Sequence, residues 1–300
     1  MFTILIMSFH SRHLLPNLVK SINKDFPIVI VDNSQDFVLK KKLEEDHDNV
    51  KVITPNENLG FAKGANLAIS QIKAEYIFIN PADVFLPKKC LENLKECLSE
   101  FNDFAMLAPT YNDESKYRNY ELYSDKPKVN NKIAEKFGIK EVDIIDGTFI
   151  IKKSEFEKIG FFDENIFIYF EPWDLSKRIT LGNKKMYVCE RIKFHHLGGQ
   201  SHNPKFDFVA TLQRNWHYCW SKFYYYRKHK VLGVGDGNYF YALRKTLPTL
   251  IKAFIKCIRF RISNNKKAYQ LHMAEIKGLI AAYLLRKSSY RPYESLKKNK

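Results

Sequence analysis

Short apolar runs alternate with amphipathic stretches through the first hundred residues. The run FTILIMS (2–8) predicts a buried strand, and His13 to Asn23 carries Leu14, Leu15, Leu18 and Ile22 at helical spacing. PIVIVDNS and VKVITP predict a second and a third strand. FAKGANLAISQI then reads as a helix, EYIFINPADV as a fourth strand, Pro87 to Phe101 as a helix and FAMLAP as another strand. This alternation predicts a parallel sheet with helices on both faces. Ligands of such sheets bind beyond the carboxyl ends of the strands. The segments to watch are therefore His10–Ser11, Asp32–Asn33, Asn56–Gly60 and Asn80–Asp83.

Residues 111–140 are polar and predict a loop region with a short helix. VDIIDGTFIIKK reads as a strand pair broken at Asp146–Gly147, and SEFEKIGFF opens on a capping box of Ser154 and Glu157. IYFEPWDLSKR has a proline suited to a helix start, flanked by Glu171 and Asp174. GNKKMYVCERIKFHHLGGQS predicts a turn, a strand and a glycine-rich end. From Phe208 onward the pattern becomes long and helical. In KTLPTLIKAFIKCIRFRI, Leu247, Leu250, Ile251, Phe254, Ile255 and Ile258 form an apolar stripe, with Lys252, Lys256 and Arg259 on another face. Such a helix either lies in a membrane interface or buries its stripe against protein. IKGLIAAYLLRK repeats the pattern and reads as a packed helix.

Charge sharpens this division. Residues 1–200 hold 28 Lys and Arg against 29 Asp and Glu, a net of −1; residues 201–300 hold 21 against 4, a net of +17. A near-neutral region of about 230 residues thus precedes a basic helical region over 231–300, and the asymmetry points to an anionic partner. Five cysteines with no C-x-x-C spacing argue against a disulfide framework or a zinc cluster. MFTILIMSFHSRHLL lacks a basic stretch before its apolar run and reads as a strand, and no apolar segment is long enough to predict a transmembrane span.

Several post-strand residues can carry chemistry. Asp32 can accept the N3–H of a uracil or thymine base, or it is a turn residue. In NENLGFAKGAN, glycines allow close backbone approach to a ligand, and Lys63 can reach a phosphate. Asp83 can hold Mg²⁺ or Mn²⁺ against a diphosphate, with His196 as a second ligand. Glu171 and Asp174 are a catalytic pair, a metal site or the first turn of a helix.

The pieces ILIMSFHS, VIVDNS, NENLGFAKGAN, INPADVFLP, DGTFIIKKSEFEKIGFFDENIFIYFEPWDLSKR, HHLGGQS and NWHYCWSKFYYYRKH, in that order over residues 1–230, resemble the family 2 glycosyltransferases, in particular their rhamnosyltransferase-like branch. The resemblance implies a GT-A fold: an α/β, Rossmann-like mixed sheet flanked by helices, with a nucleotide-binding half (1–110) and an acceptor half (111–230). It implies inverting transfer of a sugar from a dTDP- or UDP-sugar, with rhamnose favoured, to a glycan or lipid-linked acceptor in cell-surface polysaccharide synthesis, aided by Mg²⁺ or Mn²⁺. By position, His10, Ser11, Asp32, Asn58, Gly60, Lys63, Asn66, Asp146 and Gly147 belong to the nucleotide and donor site, Asp83 and His196 to the metal, and Glu171 to the general base, with Asp174 beside it. Two departures stand out: an alanine intervenes in Asn80-Pro81-Ala82-Asp83, and Pro172 replaces a second acid. The basic C-terminus implies peripheral attachment to an anionic membrane surface at its cytoplasmic face. The competing readings are a nucleic-acid binder or a non-catalytic docking subunit on a degenerate transferase scaffold. Nucleic-acid binding would leave the post-strand acids unexplained.

Overall fold

A computed structural model describes residues 2–113, 118–230 and 237–292. Residues 114–117 of the expected loop, the start of the expected C-terminal region at 231–236, and the basic stretch 293–300 lie outside the described residues. In chain order the elements are β1 (Phe2–Ser8), α1 (Leu15–Ser21), β2 (Ile28–Asp32), α2 (Phe37–Asp46), β3 (Val50–Ile53), α3 (Gly60–Gln71), β4 (Tyr76–Pro81), β5 (Val84–Phe85), α4 (Lys88–Glu100) and β6 (Met106–Tyr111). Then follow β7 (Tyr120–Glu121), α5 (Lys132–Phe137), β8 (Ile139–Glu141), β9 (Ile144–Ile145), β10 (Phe149–Lys152), α6 (Lys153–Ile159), α7 (Glu171–Leu181) and β11 (Met186–His196). The chain ends its described part in α8 (Asp207–Lys228), α9 (Tyr239–Ile262) and α10 (Lys266–Tyr283).

The chain divides into two compact units, residues 1–162 with 175–203, and residues 163–174 with 204–300. The boundary expected near 230 followed charge. Packing draws it elsewhere: α8 sits with the C-terminal helices, as does the segment ending at Asp174.

The first unit is a mixed sheet in the order β3-β2-β1-β4-β10-β6-β11-β5, with β8 also paired to β11. Strands β1 to β4 run parallel, as the alternation predicts. β10 departs from that expectation: it inserts antiparallel between β4 and β6, so the sheet is mixed. Helices cover both faces, which is why β1 is apolar at nearly every position: Ile4 and Ile6 enter one core, Leu5 the other. The expected strand pair around Asp146–Gly147 consists of two strands that do not pair together; β9 joins β7 in a separate ribbon.

Two local expectations are corrected. α2 has no counterpart in the hydrophobic pattern, because only Leu39 and Leu43 are buried on it. Its signals are polar: Asp36 caps the Leu39 N–H at 3.0 Å, and Lys40–Glu44 and Lys41–Glu45 pair one turn apart. The capping box at Ser154 does not form. β10 runs directly into α6, Lys152 takes the cap position, and Ser154 lies inside the helix.

The second unit is a helical assembly. Trp216, Trp220 and Phe223 of α8 pack with Ala242 of α9 and with Ala274, Leu279 and Ala282 of α10. α10 crosses α8 so closely that a Cβ on Gly278 would lie 2.3 Å from the Trp216 carbonyl oxygen. The apolar stripe of α9 does not pack. Leu247, Ile251, Phe254, Ile255 and Ile258 are exposed, with Phe254 and Ile255 each at 59%, while Ala242, Thr246, Ala253 and Cys257 form the buried face. Among the described residues of this chain nothing buries the stripe, apart from Leu250, which packs with α10. α10 packs as expected through Ile276 and Leu279, but Ile280 on the same helix and Leu284 at its C-cap are exposed. No described helix is long and apolar enough to cross a membrane.

Candidate active site

In the first unit the candidate residues gather at the carboxyl ends of β1, β2, β4 and β11. Asp83 follows β4 and is 3% exposed. The short antiparallel pairing of β5 with the end of β11 sets Val84 opposite His196. That register brings His196 Nε2 to 3.5 Å from Asp83 Oδ2. The Gln200 amide donates to the same carboxylate oxygen at 3.2 Å, and the Leu197 amide donates to the Asp83 carbonyl at 2.9 Å. The glycine-rich segment after β11 thus wraps Asp83, using left-handed backbone at Gly198 and Gly199 (φ 71° at each) that favours glycine. Oδ1 of Asp83 accepts no hydrogen bond among the described residues.

The intervening alanine has a structural reason. Ala82 is fully buried in the core, so its side chain points away from the site, and Asp83 is the residue presented. Asn80 bonds the carbonyls of Pro81 and Val84 and holds the turn open between them. Among the described residues no group of three or more His, Cys, Asp or Glu could hold a metal ion. One carboxylate and one imidazole remain. That pair fits a cation that takes its other ligands from phosphate and water, as Mg²⁺ commonly does.

Asp32 is buried and its carboxylate is engaged by its own turn. Ser8 Oγ, Ser34 Oγ and the Ser34 N–H donate to Oδ1 at 3.3, 2.5 and 3.2 Å, and the Asp36 N–H donates to Oδ2 at 2.8 Å. His10 has left-handed backbone (φ 56°) and accepts the Asn203 N–H at 3.0 Å; Ser11 Oγ donates to the Ser201 carbonyl at 2.5 Å. The β1 loop is therefore tied to the segment that follows β11. Asn58 Oδ1 accepts the Gly60 N–H at 3.0 Å in the turn that leads into α3, where Gly60 has φ 75°. Lys63 is exposed on α3 and forms no ion pair among the described residues. Asn66 exchanges two hydrogen bonds with the Phe162 backbone, at 3.0 and 3.1 Å, and so has structural work to do.

Asp146 accepts the Gly147 N–H at 2.7 Å. Gly147 has φ 69°, and a Cβ there would meet the Tyr111 hydroxyl oxygen at 2.4 Å. Tyr111 accepts the Thr148 N–H and donates to Thr148 Oγ1, each at 3.1 Å, and its ring lies 4.7 Å from that of His196. Burial raises the Tyr111 phenol far above its ordinary pKa, so it remains a neutral hydroxyl. Tyr111 and Thr148 escaped the sequence reading, and Asn33 was marked there only as the neighbour of Asp32. Asn33 clamps the Leu59 N–H and the Gly60 carbonyl. Only its place immediately after Asp32 hinted at this.

In the second unit Glu171 and Asp174 share the first turn of α7 but differ in surroundings. Asp174 is fully buried, with His229 Nε2 and Lys228 Nζ each 2.7 Å from Oδ1. Lys228 also reaches Asp163 at 2.7 Å, and Tyr224 donates to Asp163 at 2.8 Å. Burial would raise the Asp163 carboxyl, but bonding to Lys228 and its neighbours outweighs it and lowers the pKa. Asp174 is thus the anchor of the end of α8. Glu171 is 3% exposed and follows two non-glycine residues in left-handed backbone, Tyr169 (φ 70°) and Phe170 (φ 73°). Consecutive strain of this kind on bulky residues is found where surrounding structure enforces it, commonly at functional sites. Lys228 and His229 were missed in the sequence; the basic end of YYYRKH was their only signal.

Residues 3–160 match the family model described as Glycosyl transferase family 2. The low-salt glycan biosynthesis hexosyltransferase Agl10 of Haloferax volcanii is 22% identical over 206 residues, which are 65% of this chain and 66% of that protein. The rhamnosyltransferase WbbL of Escherichia coli (strain K12) is 24% identical over 255 residues, 76% of this chain and 94% of that protein. The chain spans just under two thirds of the first relative's length and nearly all of the second's. Among solved structures, a mannosyltransferase from Pyrobaculum calidifontis, in complex with GDP-Man and Mn²⁺, superposes with a TM-score of 0.55 at 11% identity, over 94% of this chain and 86% of that one. S. aureus TarS 1–349 in complex with UDP gives 0.51 at 14% identity, over 100% and 92%. Both share the GT-A fold with this chain.

Proposed function

The chain belongs to glycosyl transferase family 2, and from that premise we propose that it moves a sugar, with inversion, from a nucleotide-sugar to a glycan or lipid-linked acceptor in cell-surface polysaccharide synthesis. The rhamnosyltransferase among its relatives favours a deoxyhexose such as rhamnose, carried on dTDP. The observation that carries the reading is the Asp83–His196 pair at the strand ends of the family-matching unit. Such a pair, beside a glycine-rich segment, suits a diphosphate that gains a further negative charge as it departs.

Inverting transfer is a single in-line displacement at the anomeric carbon. It needs one carboxylate to take the acceptor hydroxyl proton, unlike the paired acids of glycosidases. Glu171 is that base: it is buried, on the first turn of a helix and set there by a strained approach. Asp174 positions the turn through Lys228 and His229. Asp83 and His196 would hold Mg²⁺ or Mn²⁺. When bound, the cation supplies positive charge to the leaving diphosphate. Asp32 and its turn serve the base end, and the Asp146–Gly147 turn, where the missing Cβ admits the Tyr111 hydroxyl, serves the donor sugar. The exposed stripe and the basic charge of the second unit support a peripheral position at the cytoplasmic face of a membrane.

Release of nucleoside diphosphate from dTDP- and UDP-sugars in the presence of Mn²⁺ tests the reading. Turnover with one of them is expected, abolished in Asp83→Asn. No binding of any nucleoside diphosphate in calorimetry would refute it.

A further inference from the structure

The second unit contains a cavity of about 500 Å³ whose lining includes Arg214, Lys252, Lys256, Glu275, Tyr169 and Tyr218. Three cations face it against one carboxylate. Glu275 is already bonded to His272 at 3.1 Å and to Asn215 at 3.3 Å. Arg214, Lys252 and Lys256 form no ion pair among the described residues. Cations gathered around a concavity, with phenol groups on its wall, suit an anion with several oxygens, and the guanidinium fork matches phosphate geometry.

The position of the cavity narrows the anion. Lys252 and Lys256 come from α9, on the flank between its buried face and its exposed stripe. At 3.6 residues per turn, Leu247, Ile251, Phe254, Ile255, Ile258 and Ile262 fall within a sector of about 100°, and all are exposed. A helix with that stripe beside a basic flank lies with the stripe in the acyl boundary and the cations at headgroup level. The cavity therefore opens at the depth where a lipid carries its phosphate. Tyr169 also lines it, two residues before Glu171 in the same unit.

We infer that this cavity holds the phosphate of a lipid-linked acceptor, presented from a membrane on which the exposed face of α9 rests. The inference rests on the transferase reading and selects between its two acceptor classes, favouring the lipid-linked one. It also separates two tasks on one helix. Ile251, Phe254 and Ile255 hold the surface, whatever its lipids. Arg214, Lys252 and Lys256 choose the lipid phosphate within it.

The test uses the full chain and phosphatidylcholine vesicles carrying either a polyprenyl phosphate or phosphatidylglycerol, matched in surface charge. Wild type is expected to bind the polyprenyl phosphate vesicles about tenfold more tightly. The triple variant Arg214→Gln, Lys252→Gln, Lys256→Gln should bind both at the phosphatidylglycerol level. The variant Ile251→Ser, Phe254→Ser, Ile255→Ser should lose at least about tenfold on both and keep the preference. Equal binding of the two vesicles by wild type, or a preference that survives the charge variant, overturns the inference. So does a stripe covered by a second copy, seen as a stable dimer that the serine variant breaks without a change in vesicle affinity. Calorimetry with nucleoside diphosphates on the same preparations keeps the two readings apart. Intact binding with no lipid preference defeats only the cavity assignment; loss of nucleotide binding defeats the transferase reading.

Discussion

Glu171 and Asp174 are three residues apart, and their substitution should have opposite signatures. Glu171→Gln keeps shape and burial but cannot take a proton. Turnover should fall by about 10²- to 10⁴-fold, with nucleoside diphosphate affinity and melting temperature unchanged. Asp174→Asn leaves Lys228 and His229 facing an amide in a buried place. Breaking a buried, charge-assisted contact costs about 3–5 kcal/mol, so loss of thermal stability should precede any kinetic effect. If Glu171→Gln retains full turnover, Glu171 is not the base. Gly147 makes a third test. Its left-handed backbone and the Tyr111 hydroxyl exclude a Cβ, so Gly147→Ala should cost about 1–3 kcal/mol of stability and weaken donor affinity. At this scale the sequence was legible where strand ends concentrate chemistry, as at Asp83 and His196. It was not legible where side chains bond to backbone far along the chain. Asn66 resembles a ligand residue until Phe162 is seen across it.

Elements were legible in proportion to how much apolar surface they bury. β1 to β4 and α3 stand out because both faces of the sheet are covered; α2 hides because two leucines suffice to dock it. The capping box failed because a sequence match does not say whether a loop is there to be capped. α10 shows another limit. Its small residues record a close helix crossing that no periodicity reveals. Gly278→Ala would drive a methyl group into the Trp216 carbonyl. Overpacking of that sort costs about 1–3 kcal/mol, to be read as a fall in denaturant midpoint. The same helices hold a buried acid sensor. His217 Nε2 donates to the Tyr290 carbonyl at 2.8 Å and Nδ1 accepts from Ser288 Oγ at 2.9 Å. Burial lowers its pKa to about 3. The folded state therefore keeps it neutral while the unfolded chain takes up a proton below about pH 6.5. Its stabilising contribution is complete above that pH and is lost as pH falls toward 3. Between pH 6.5 and 5 the loss is up to about 2 kcal/mol. Chemical denaturation at both pH values should show it, and His217→Phe should flatten the difference.

At the scale of the molecule, the charge split was real but it did not mark the packing boundary. Charge belongs to surfaces, whereas a unit is defined by the apolar faces that close on one another. α8 carries Trp216, Trp220 and Phe223 into the core shared with α9 and α10, while the polar, basic faces of those helices set the composition. Ending the chain after residue 230 therefore does more than remove a basic tail. It strips α8 of its partners and uncovers two indole rings together with Phe223. It also leaves the segment from Asp163 to Asp174 joined to an incomplete unit. The truncated chain should show exposed apolar surface by dye binding and lose near-ultraviolet dichroism from its tryptophans, all three of which lie in this unit. Substitutions on the exposed stripe of α9 should leave both signals intact, since surface changes away from packed contacts alter stability by only about 0.5 kcal/mol. A truncated chain that keeps its tertiary dichroism would show that α8 needs neither partner, and the charge boundary would then be the physical one as well.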